Sequence, residues 1–162
     1  MTKRGDPFLE PLLVELERDG VAYRLLPPED AEHRAAQERW ERAFPVASWG
    51  RVDWEKVPGS TRLAVHDYDA AGERVRELLA GAARPGEPVW VMWSNALRPM
   101  LRLPAAAVAK HAALVVEVDW DTWIFDGEPA WCIEHYHEDE LCFGRAPAPP
   151  RGTPGGREEE GG

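Results

Sequence analysis

Phe8, Leu12, Leu13 and Leu16 recur at helical spacing within DPFLEPLLVELERDG, residues 6–20, and a 3.6-residue period puts them on one face. Asp6 suits the cap of that helix, Pro7 its first turn and Gly20 its end. VAYRLL (21–26) alternates instead, as a strand does, until Pro27 and Pro28 stop it. Over residues 28–44, Ala36, Trp40 and Phe44 form one stripe among mixed charges, which predicts a second, largely solvated helix. Residues 45–61 show neither period and predict an irregular connection, with a short extended piece around Val52. RLAVHDYD (62–69) predicts a strand, and residues 70–83 predict a helix capped by Asp69 with Val75, Leu78 and Leu79 inward. VWVMWS (89–94) is continuously apolar, as a central strand covered on both sides must be. It should carry Val89, Val91 and Trp93 on one face and Trp90 and Met92 on the other. LRPMLRL (97–103) reads as extended or irregular, and Pro104 opens a short helix over 104–114.

Beyond this the pattern predicts only strands. LVVEVDWDTWIF (114–125) is one long strand or two joined by a bend. Residues 130–137 and 140–144 make a hairpin closed by HEDE. Pairing Tyr136 with Leu141 sets His135 opposite Cys142 and Glu134 opposite Phe143. Trp131, Ile133, His135, His137 and Cys142 then share a face, and the two Cys fall on opposite faces, where no disulfide can form. From Ala146 onward Pro, Gly and charge dominate. The expected architecture is α+β (mixed α/β), with a single sheet of about five or six strands ending in an antiparallel meander and packed by about four helices. Residues 1–145 form one globular domain in this reading, and residues 146–162 a disordered tail.

Charge narrows the function. Nineteen basic against 29 acidic residues give a formal net charge of −10 in 162 residues, which argues against nucleic acid as the direct partner and suits a basic protein. The opening residues lack the apolar core of a secretory signal, and no apolar run approaches the roughly 18 residues of a membrane helix. With only two Cys, a reduced cytoplasmic protein with no membrane partner is expected. Between His111 and Gly144 stand nine acids and no Lys or Arg. Trp120, Trp123, Trp131 and Tyr136 are interleaved with them. Acids steer a partner and aromatics anchor it. The candidate contact residues are therefore Asp121, Glu134, Glu138, Asp139, Glu140, Trp120 and Trp123. The same composition also suits an acidic solvated face over a Trp-rich core.

Catalytic and metal chemistry find weaker footing. His135, His137 and Cys142 offer zinc ligands in the register above, but no C-x-x-C or H-E-x-x-H accompanies them. Neither Cys132 nor Cys142 lies at a helix N-terminus, where a thiolate would be activated. GAARPGEP lacks the Lys and Ser/Thr of a phosphate loop. The expectation is a protein without catalytic residue, metal or cofactor. A small metal-binding domain or metal-dependent enzyme on His135, His137 and Cys142 is the alternative.

Four segments together, WGRVDW (49–54), VWVMWSNALRPML (89–101), DTWIF (121–125) and CIEHYHEDELCFG (132–144), resemble immunity proteins of bacterial contact-dependent toxin systems. The resemblance spans residues 48–145. It implies a small cytoplasmic inhibitor that binds one cognate toxin domain tightly and performs no chemistry. Toxins of such systems are often nucleases with basic substrate sites, which an acidic inhibitor suits. It assigns no binding residues, because each such protein meets its own toxin differently.

Overall fold

The computed structural model describes residues 5–147. Five α-helices and seven strands follow one another along them: α1 (Glu10–Arg18), β1 (Arg24–Leu26), α2 (Ala31–Ala43), β2 (Thr61–Ala64), α3 (Tyr68–Ala82), β3 (Pro88–Trp93), β4 (Met100–Pro104), α4 (Ala105–Lys110), α5 (Ala112–Glu117), β5 (Thr122–Asp126), β6 (Trp131–Tyr136) and β7 (Glu140–Arg145). All strands join one antiparallel sheet in the order β1-β4-β3-β5-β6-β7-β2. The mixed α+β class and the closing meander are as the sequence predicts. The strand expected over 21–26 is present but shrinks to the three residues of β1, and the sheet gains a strand at β4, where LRPMLRL pairs on both sides.

Each face of the sheet has its own core, and β3 explains why. Its alternating side chains put Val89, Val91 and Trp93 into one apolar cluster and Trp90 and Met92 into the other. On the first face lie α1, α3, α4 and α5, through Leu12, Leu16, Val75, Leu79, Val108, Val115 and Val116. On the second lie α2, through Ala36 and Trp40, with Phe44 behind it, and the 45–60 connection, through Val52, Trp54 and Val57. Trp93 is buried, and its indole N–H donates to the Val115 carbonyl at 3.0 Å. Gly72 on α3 allows α5 to come close, since a Cβ there would stand 2.7 Å from the Ala113 nitrogen.

Three local expectations are corrected. Residues 115–117, expected to open the strand over 114–125, are helical and belong to α5. An apolar run that short carries no distinctive period, and the buried Ala112, Val115 and Val116 take the i, i+3, i+4 spacing of a helix against α3. The cap of α3 is Asp67 and not Asp69; its carboxylate accepts the Ala70 N–H at 2.7 Å, so β2 ends early, at Ala64. Asp6 accepts the Phe8 N–H at 3.0 Å, one turn ahead of the α1 start.

The hairpin register is corrected by one residue. Tyr136 pairs with Glu140, His135 with Leu141 and Glu134 with Cys142. Only three residues then close the loop, and Asp139 takes the left-handed conformation at φ 59°. A turn followed by one left-handed residue is a standard three-residue hairpin loop, and Asp tolerates that backbone better than most residues. A one-residue slip exchanges faces. Cys142 therefore leaves the His135 side and joins Cys132 and Glu134 under the 45–60 connection. The expected tail falls outside the described residues except for Ala146 and Pro147. Ala146 still donates to the Ala130 carbonyl at 2.8 Å.

Candidate functional site

Glu134, expected on the surface, is the most enclosed acid of the hairpin, with 0% exposure. One carboxylate oxygen accepts Arg51 Nε at 2.9 Å and Trp54 Nε1 at 3.0 Å. The other accepts the Val52 N–H at 2.9 Å and Trp123 Nε1 at 2.8 Å. Trp123 is buried as well, so neither residue is free to touch a partner. They pin the 45–60 connection to the sheet. A buried carboxylate persists only if charge-paired and hydrogen-bonded, and Arg51 supplies the charge. Its guanidinium also reaches Glu140 at 3.1 Å and lies 3.9 Å over the Tyr136 ring. Gly144 completes the fit, because a Cβ there would meet Trp54 and Val57 side-chain atoms at 2.8 Å.

The candidate zinc and thiol chemistry is dispersed by the same register. His135 sits on the α3 side of β6, its ring 6.1 Å from that of Tyr68, while Cys142 lies on the opposite face near Arg51 at 3.7 Å. His137 stands at the open end, its Nδ1 2.9 Å from Asp121. Among the described residues no three His, Cys, Asp or Glu side chains converge as a metal would require. Burial first, then the nearby carboxylates Glu140 and Glu134, push the Cys142 thiol far up, and it donates to Glu140 at 2.9 Å. Burial likewise raises Cys132 well above the usual thiol range, although its sulfur accepts Trp40 Nε1 at 3.4 Å. Both Cys are free thiols, and protonated ones are poor nucleophiles.

What remains at the surface is the end of the sheet where β5 begins and β6 turns into β7. Trp120 is 71% exposed there, and Glu138 and Asp139 are exposed at the hairpin tip. Glu140 is turned inward onto Arg51, with Arg62 3.9 Å away. Burial works against ionisation of Glu140, but the Cys142 and Arg51 hydrogen bonds and the two arginines outweigh it and hold its pKa low. Asp121 is engaged as well, accepting both the backbone N–H and Nδ1 of His137 at 2.9 Å. Of the seven expected contacts, the structure thus brings Trp120, Glu138 and Asp139 together in the open, half-engages Asp121 and Glu140, and buries Glu134 and Trp123. Sequence reasoning missed Arg51 and the residues at the start of α3, His66, Asp67 and Tyr68, which line a cavity with Trp120, His135, His137 and Asp139. A buried Glu on a stretch without bases must find its cation elsewhere, which is the one signal that pointed toward Arg51.

The Trp-rich connection, the β3 strand with its following loop, and the β5–β7 meander are the four resembling segments; β3 pairs with β5 in the sheet, and Glu134 of β6 bonds the connection and Trp123 of β5. Residues 23–144 match the family described as CdiI immunity protein EcoliA0-like. The chain belongs to that family. It is an immunity protein of a contact-dependent inhibition system, and such proteins act on a cognate toxin. No curated protein matches the chain. The family match takes in β1 through most of β7 and leaves α1 outside it. Among the described residues of this CdiI family member no helix is long and apolar enough to cross a membrane.

Proposed function

We propose that this immunity protein works in the cytoplasm by binding alone, covering the active site or an adjacent surface of a basic, nuclease-like toxin. The observation that carries this reading is the exposed end of the sheet. Glu138 and Asp139 form no ion pair among the described residues and stand beside the exposed Trp120, in a chain of net charge −10. Unpaired rim acids raise the encounter rate with a basic surface, and an exposed indole supplies contact area that holds it. The groups with potential for chemistry are by contrast sealed: two protonated thiols and a carboxylate saturated with donors.

The test uses the toxin domain encoded next to this chain. The two proteins should form a complex whose association rate falls steeply with salt. Toxin recovered from the denatured complex should have unchanged mass and regain its activity. Absence of a complex, salt-insensitive association or a covalently altered toxin would each overturn the reading.

A further inference from the structure

The cavity at the end of the sheet has a composition of its own. It measures about 510 Å³, and its lining includes the α3 cap Asp67, the first α3 residue Tyr68, Trp120, and His135, His137 and Asp139 of the hairpin. Among the described residues no Lys or Arg lines it. Tyr68 and Trp120 are both large exposed aromatics. Each is set by a histidine: the Trp120 ring lies 5.4 Å from His137, and the Tyr68 ring 6.1 Å from His135. His137 is in turn fixed by Asp121.

His135 is the independent clue. It is 7% exposed, and its Nδ1 has no hydrogen-bond partner among the described residues. Buried polar atoms are almost always satisfied, so an orphan at a cavity wall points to a missing donor or acceptor. Burial lowers the pKa of this histidine, outweighing Asp121 and Asp139, which keeps the ring neutral at neutral pH. With its proton on Nε2, the ring offers Nδ1 as an acceptor.

Two occupants compete on electrostatic grounds. The N-terminus of α3 brings roughly half a positive charge, which favours an anion. Against it stand the full negative charges of Asp67 and Asp139 in the lining, with Asp69 in the first turn of α3 and Asp121 behind His137. The acids prevail, so the field favours a cation. Flat aromatic walls bind cations through their ring faces, and a planar guanidinium combines that stacking with several donors for carboxylates and an imidazole nitrogen. We infer that this cavity is the socket for an arginine side chain of the cognate toxin. The inference rests on the proposed binding of a basic toxin and names the place and chemistry of one central contact.

Two measurements test it, one without the toxin. The isolated protein is titrated with n-butylguanidinium, n-butylammonium and inorganic phosphate while the indole and imidazole NMR signals are followed. Guanidinium should shift Trp120 and His135 selectively and more strongly than ammonium. A stronger response to phosphate or to ammonium, or none to guanidinium, would overturn the arginine socket. The second measurement is toxin binding by Trp120→Ala and by the double variant Asp67→Asn/Asp139→Asn. Asn retains the α3 cap and tolerates the left-handed backbone at position 139, so the fold is kept. Each variant should weaken binding by about tenfold or more, as central anchors do. Affinity within about twofold of wild type, in a wild-type protein that binds the toxin, would sink the socket and leave the immunity reading standing. A wild-type protein that fails to bind would instead sink that reading.

Discussion

Replacing Glu134 by Gln keeps the side-chain shape and exchanges one carboxylate oxygen for an amide NH2. Whichever oxygen is exchanged, two N–H groups lose their acceptor: Arg51 Nε and Trp54 Nε1, or the Val52 N–H and Trp123 Nε1. Each buried donor left unsatisfied costs about 1–3 kcal/mol. Breaking a buried ion pair by removing one partner costs about 3–5 kcal/mol. The two figures describe overlapping losses and are not added. Arg51 retains Glu140 at 3.1 Å, so the lower end applies, about 3 kcal/mol. At about 2–4 °C per kcal/mol for a domain of this size, the melting temperature should fall by about 6–12 °C. A thermal melt reads that shift, and urea denaturation followed by tryptophan fluorescence measures the loss of free energy; the urea midpoint should drop with little change in slope. Trp54→Phe is the comparison. It removes one donor and leaves the other three in place, and should cost about 1 kcal/mol from that hydrogen bond. A loss below about 0.5 kcal/mol for Glu134→Gln would mean that the carboxylate does not pin the connection, and the account of the second core would fail.

Three further outcomes are expected. Gly144→Ala should destabilise by about 1–3 kcal/mol through overpacking, because its Cβ would lie 2.8 Å from Trp54 and Val57; a neutral effect in the same melts would show that the connection yields freely. Trp93→Ala should cost about 3–5 kcal/mol, since the indole is buried and bonded to the Val115 carbonyl; a loss under about 1 kcal/mol would contradict that burial. His135 has a folded pKa below its ordinary value of 6.5, mainly from burial. Below pH 6.5 the unfolded chain binds the proton more readily, so this group's contribution to stability is full above that pH and declines as pH falls toward the folded pKa. His135→Gln should therefore flatten the stability profile on the acid side of pH 6.5, and an unchanged slope would refute the shift.

The sequence by itself determined what depends on local period. Leu12 and Leu16, or Ala36 and Trp40, recur every turn and mark one helix face whatever they pack against. The unbroken VWVMWS run demanded cover on both sides, and α2 and α3 lie on opposite faces of β3 for that reason. Where no period exists, as in residues 115–117, only α3 packing against the segment decided for helix. The candidate site shows the limit most clearly. Acids and aromatics at the end of the chain were legible as composition, and Trp120, Glu138 and Asp139 do stand exposed together. Which acids face outward was decided by the register of β6 and β7. That register goes with the left-handed backbone of Asp139 and brings Glu140 to Arg51 across 89 residues of sequence. A hairpin of alternating residues admits two registers that put the β7 side chains on opposite faces, and the three-residue loop closed by Asp139 decided between them, while Glu134 was drawn inward by a distant cation, two indole N–H groups and a backbone N–H.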